Sequence, residues 1–125
     1  MRRRFFSALG AVLTILALPV AAHHSFAIYD MSQNIEFEGV VETAKLRNPH
    51  MALTLVQTNP DGTKQTINFV EGAPANMIVR MGLKPEDIAP GQTIKAIGAP
   101  RRDNPNAYFL KAIILPDGRR FSVIN

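Results

Sequence analysis

No cysteine occurs in this chain of 125 residues. Disulfides, thiolate metal sites and cysteine nucleophiles are therefore excluded. An oxidising compartment neither helps nor threatens the fold. Long apolar runs are missing too. The longest mostly apolar stretch, SALGAVLTILALPVAA, is interrupted by Pro19 near its end. It falls short of the about 20 residues that a transmembrane helix needs. Histidine occurs only at His23, His24 and His50. There is no internal repeat and no low-complexity tract.

The charge is unevenly spread. Arg2, Arg3 and Arg4 precede the apolar stretch, and small residues close it. Charged, apolar and cleavable regions in that order make a secretory leader. Cleavage after Ala22 sets Val20 and Ala22 at the two positions where the peptidase prefers small residues, whereas cleavage after Ala21 would set Pro19 there. Residues 1–22 are thus expected to be a cleavable signal peptide, with the mature protein periplasmic or secreted and not held by a membrane. The Arg-Arg-x-Phe-like start also fits the twin-arginine pattern, but the apolar core suits the general route better. The leader holds three of the fourteen Lys and Arg and none of the ten acids, which leaves a formal charge of +1 on residues 23–125. That is no nucleic-acid signature. Nor is there a rich stock of stacking aromatics: after the leader only Phe26, Tyr29, Phe37, Phe69, Tyr108, Phe109 and Phe121 remain.

The remaining length suits one small domain, residues 23–125, with one core. Residues 23–34 lack periodicity and read as an extended lead-in. IEFEGVVETAKL alternates apolar and polar, as a half-buried strand does. Arg47-Asn48-Pro49 breaks it, because proline donates no ladder bond and restrains its predecessor. HMALTLVQT and TKQTINFVE form a hairpin about the NPDG turn. In GAPANMIVRMG, Pro74 suits a first helical position, Met77, Ile78 and Met81 share a side facing the core, and Gly82 ends the helix. KPEDIAPGQ adds at most a further helical turn. QTIKAIGAP and AYFLKAIILP are strands joined by the polar loop RRDNPN, and FSVIN adds a short last strand after DGRR. Three strands, a helix and two strands is the order of an OB-type five-stranded Greek-key barrel. The fold expected is therefore all-β with one short helix, an OB-like barrel; the competing reading is an open antiparallel α+β sheet.

AHHSFAIYD, EGVVETAKLRNPHM, EGAPANMIVRMGL, PGQTIKAIGAP and LPDGRRF together resemble an uncharacterised family of small exported bacterial proteins, a domain of unknown function. His-His-Ser-Phe after the leader, Asn-Pro-His after the first strand and Leu-Pro-Asp-Gly-Arg near the end together carry the likeness. The resemblance implies export and a small β-rich domain, and no established activity. Where family members often have an aromatic after Asn-Pro-His, this chain has Met51 and Ala52.

The chemistry rests on the histidines. If His23 is the mature terminus, its α-amine and imidazole chelate one metal together. His50 adds a third nitrogen, in an arrangement like the histidine brace of exported copper proteins, with His24 as an alternative ligand. Three nitrogens in a flattened T suit Cu(II). With Ala22 retained, His24 would instead stand third and form a square-planar chelate. Zinc would require the three histidines and a carboxylate, Asp30 or Glu71, to converge. The bland counterpart is a polar terminus anchored by Phe26, with His50 capping a turn. A second reading is a metal-free OB module that takes a small ligand, glycan or exported protein partner, using Arg101, Arg102 and Asn104 of the loop between the last barrel strands. Met31, Met51, Met77 and Met81 are soft donors, but Met77 and Met81 read as core, and alternation turns Met51 away from His50. Ser25 beside His24 makes no nucleophile–base pair, and no catalytic constellation is legible.

Overall fold

The computed structural model describes residues 24–122 and residue 124. The elements in order are α1 (His24–Ala27), β1 (Ile35–Lys45), β2 (Ala52–Thr58), β3 (Lys64–Glu71), α2 (Ala75–Arg80), a 3-10 turn (Pro85–Ile88), β4 (Thr93–Pro100), β5 (Ala107–Ile114) and β6 (Arg120–Ser122). The expected signal peptide and His23 lie outside the described residues. No helix among the described residues is long and apolar enough to cross a membrane.

Strand β1 alternates as its sequence does and serves two neighbours. Its first half pairs with β4 and its second half with β2, with an irregular register between Val41 and Thr43. A bulge of this kind sharpens twist, and a strand must coil strongly to belong to both walls of a barrel. Strands β2 and β3 form the hairpin about Asp61 and Gly62, where Gly62 takes a positive φ of 83°. Strand β5 pairs with β4 and also, in parallel, with β3 through Asn68–Ala107 and Phe69–Tyr108. That last pairing closes a five-stranded barrel of the OB kind and removes the open-sheet alternative. Strand β6 hairpins onto β5 as a sixth strand outside the closure.

The barrel interior holds Val41, Leu53, Leu55, Ile67, Phe69, Ile94, Leu110 and Ile113, with Ile78, Leu83 and Ile88 from the β3–β4 connection packed on the same cluster. Helix α2 buries only Ala75 and Ile78, and Ile78 joins that core. Met77 and Met81, expected in the core, are 40% and 43% exposed. The helix is only six residues long, so a single turn meets the barrel and the apolar residues on either side of Ile78 face outward. Pro74 caps the helix from outside and is not its first turn's residue. Gly82, at a φ of 102°, ends it: the Gly82 N–H bonds the Val79 carbonyl and the Leu83 N–H the Ile78 carbonyl.

Residues 28–34 cross the outer face of β4 and β5 as a strap. Tyr29 bridges Arg101, the Asp30 N–H bonds the Pro100 carbonyl at 2.8 Å, and the Arg102 N–H bonds the Ile28 carbonyl at 2.8 Å. Beneath the strap Tyr29, Ala99 and Phe109 form a second small core. The lead-in expected to be extended from 23 to 34 thus begins with a helical turn, His24–Ala27. The turn lays Phe26 on Phe109, with ring centres 5.4 Å apart.

Candidate functional site

The Asn-Pro-His segment is tied to the junction of β3 and α2. Helix α2 has no side-chain cap at Pro74. Asn48 supplies one from a distance: its Oδ1 accepts the Asn76 N–H at 3.2 Å, while the Arg47 carbonyl accepts the Ala75 N–H at 3.1 Å. These bonds satisfy amides that a short helix otherwise leaves to water. The Met51 N–H bonds the Ala73 carbonyl at 2.9 Å, and the Met51 side chain goes into the core. Alternation then turns His50 outward, over Gly72.

The imidazole is held by one nitrogen. Nδ1 of His50 lies 3.1 Å from the Gly72 carbonyl oxygen, which only accepts, so Nδ1 carries the proton. Nε2 is left facing Oε1 of Glu71 at 3.4 Å. The other carboxylate oxygen, Oε2, accepts the Tyr29 hydroxyl at 3.1 Å. Glu71 is the last residue of β3 and its side chain is only 15% exposed, whereas that of His50 is 46% exposed. Burial, the negative charge of Glu71 and the bond to it together push the Tyr29 hydroxyl up to about 12. Three separate segments, the strap, the end of β3 and the β1–β2 connection, therefore meet in the series Tyr29, Glu71, His50.

Two lone-pair donors 3.4 Å apart can share a cation between them. A proton on Nε2 makes an ion pair. A metal ion is the other solution: two bonds of about 2.0–2.2 Å at a right angle set their donor atoms about 3 Å apart. Holding Nδ1–H on a backbone carbonyl is also how a metal-ligating histidine is usually oriented. Among the described residues no three His, Asp or Glu side chains gather. His50 and Glu71 are thus a pair, to which the described residues add no third donor.

An apolar pocket of about 130 Å³ adjoins the pair, walled by Phe26, Ala73, Pro74, Met77 and Phe109 as well as His50. The start of the described chain therefore stands beside His50. His24 opens the helical turn, but its side chain, like the whole of His23, lies outside the described residues. Asp30 does not join the pair. Its carboxylate is bonded by Gln33 and Ser32, which hold it below the usual carboxylate range, and Arg102 approaches it at 3.5 Å. Tyr29 was not legible as a site residue in the sequence; its one signal is an aromatic beside an acid in a stretch without periodicity.

The loop of Arg101, Arg102 and Asn104 is internally paired. Arg101 Nε bonds Asp103 at 2.6 Å, and Arg102 faces Asp30. Asn104 accepts the Asn106 N–H through its side chain and the Ala107 N–H through its carbonyl, which shapes the turn. The three residues are neighbours in space, and both guanidiniums already meet a carboxylate.

The chain belongs to a family of unknown function, DUF6152, whose model matches residues 11–108. The match takes in all three histidines, Glu71 and the arginine loop, and stops before the LPDGRRF stretch. No curated protein and no solved structure matches the chain.

Proposed function

We propose that this chain is an exported protein, released after Ala22, that binds one copper ion at the rim of its barrel beside Gly72. The observation that carries the reading is His50, pinned through Nδ1 with Nε2 aimed at Glu71 at 3.4 Å. The α-amine and imidazole of His23 complete the set, with His24 as the alternative donor. Phe26, three residues after His23, walls the same pocket as His50, and that neighbourhood supports the reading. Nitrogen and oxygen donors in this number suit Cu(II), which prefers tetragonal N and O surroundings and stands highest in the divalent affinity order. The apolar pocket alongside limits water on one side of the ion. The alternative, capture of a small ligand or exported partner by Arg101 and Arg102, is the weaker reading because both arginines are engaged by acids.

The test is maturation followed by metal titration. Protein purified from the periplasm is expected to begin at His23 by intact mass, and to bind one Cu(II) through nitrogen ligands by electron paramagnetic resonance. A glycine added before His23 removes the α-amine from its chelate ring but sets His24 third, so it is paired with His24→Ala to remove both arrangements. If the native terminus binds copper no better than that doubly altered control, the copper reading fails.

A further inference from the structure

Lys111 lies on the outer face of β5 under the strap and is only 8% exposed. Its ammonium bonds the Met31 carbonyl at 2.9 Å, the Gln33 carbonyl at 3.4 Å and Oδ1 of Asn34. None of these partners carries charge. A buried ammonium is stabilised by hydrogen bonds and an opposite charge together, and Lys111 has only the first. Beside it opens a cavity of about 470 Å³, within the range of about 300–1,000 Å³ in which small molecules are held. Its polar wall is Lys111, Arg120, Asn34 and Ser122, and its apolar wall includes Met31 and Ile97. No acid lines it among the described residues. Arg120 is steadied by a bond from Nε to the Ser122 hydroxyl at 2.9 Å. A guanidinium held that way keeps its Nη groups as donors for a carboxylate.

We propose that this cavity binds a small monocarboxylate with an apolar tail, the carboxylate on Arg120 in the field of Lys111 and the tail against Met31 and Ile97. Among the described residues the buried cation, Lys111, has no anionic partner, and the cavity it lines adds a second cation and no acid. A carboxylate there supplies the charge that Lys111 lacks, and the half-apolar wall selects against inorganic anions, which have nothing to lay on it. The site is separate from the copper reading, sharing only Ile124 with the pocket beside His50.

The probes are hexanoate and hexanol, added to the isotope-labelled mature chain after metal is stripped on a chelating resin. Hexanoate is expected to shift the amide signals of Lys111, Ala112 and Ser122 with a dissociation constant of about 1 mM or tighter. Hexanol, equally apolar and uncharged, is expected to bind at least about tenfold more weakly, the loss of one charge-assisted contact. Arg120→Gln should weaken hexanoate about tenfold with an unchanged thermal midpoint. Arg120→Glu, which brings its own carboxylate beside Lys111, should abolish binding. Equal shifts from hexanoate and hexanol, no shift from either, or unchanged binding in both variants overturns the proposal.

Discussion

His50, from the β1–β2 connection, and Glu71, at the end of β3, face each other across 3.4 Å, the imidazole fixed on one side by the Gly72 carbonyl and the carboxylate on the other by the Tyr29 hydroxyl. Neither side chain is free to turn away without losing a bond. Glu71→Gln keeps the shape and removes the charge. Cu(II) affinity is expected to fall about tenfold or more in Glu71→Gln and further in His50→Ala, in line with the cost of altering a ligand or its support. Competitive titration against a copper chelator measures both. A Glu71→Gln protein that binds copper as the native one does would make Glu71 a bystander.

Tyr29 gives a pH dependence with a definite sign. Its hydroxyl stands at about 12 in the fold against an ordinary 10.0. The raised value means that the unfolded chain releases this proton first. The stabilisation is complete below pH 10 and is lost as pH rises from about 10 to about 12. Urea midpoints of the native protein and Tyr29→Phe, followed across that range, should converge. At neutral pH the variant is expected to be less stable by about 1 kcal/mol, the usual net worth of one such bond. A constant gap at every pH would mean that the Tyr29–Glu71 bond does not hold.

The strands were readable because their signals are local. Alternation in IEFEGVVETAKL, the NPDG turn and the break at Asn48-Pro49 each act within a few residues, and β1, β2 and β3 fall where those signals set them. The helix between β3 and β4 was readable for the same reason. What was not readable depends on distance along the chain. Tyr29 meets Glu71 across 42 residues, and no periodicity encodes that meeting. Asn48 looked like a turn residue and serves as the cap of a remote helix. Met77 and Met81 carried a helical spacing that marks a buried face only in a helix long enough to present one. Lys111 inside AYFLKAIILP was the one hint that the outer face of β5 is covered: a lysine amid apolar residues needs somewhere to bury its stem.

Lys111 also makes a mechanical prediction. Its three bonds hold the strap that ends at the first strand. Lys111→Met keeps the stem and removes the donors, leaving the Met31 and Gln33 carbonyls to water or to nothing. The strap is expected to open locally before the barrel unfolds, as its own small core is separate from the barrel interior. Hydrogen exchange should then show faster exchange at Asp30 and Arg102, whose amides bond across the strap edge, with the amides of β2 and β3 unchanged. Uniform acceleration through the barrel would show that strap and barrel open as one unit.

Gly39 is a position where the barrel leaves no room for a side chain. It lies in β1, paired with Ile94 of β4 and one residue before the pairing with β2 begins. A Cβ there would stand 2.8 Å from the carbonyl oxygen of Val56 and 3.0 Å from its carbon. The obstacle is backbone in a neighbouring strand, not the end of a flexible side chain, so it yields only if the ladder between β1 and β2 moves. Gly39→Ala is therefore expected to destabilise by about 1–3 kcal/mol, the usual cost of forcing extra atoms into a packed site. Gly62→Ala is the contrast. It has open space around its Cβ and carries only the strain of a φ of 83°, so its cost should be about 1 kcal/mol and confined to the hairpin turn. Denaturant unfolding of the two variants separates the effects: Gly39→Ala lowers the midpoint more, and amides on both sides of the β1–β2 ladder lose protection. Equal midpoints would mean that β1 is less tightly coiled against Val56 than the distances describe.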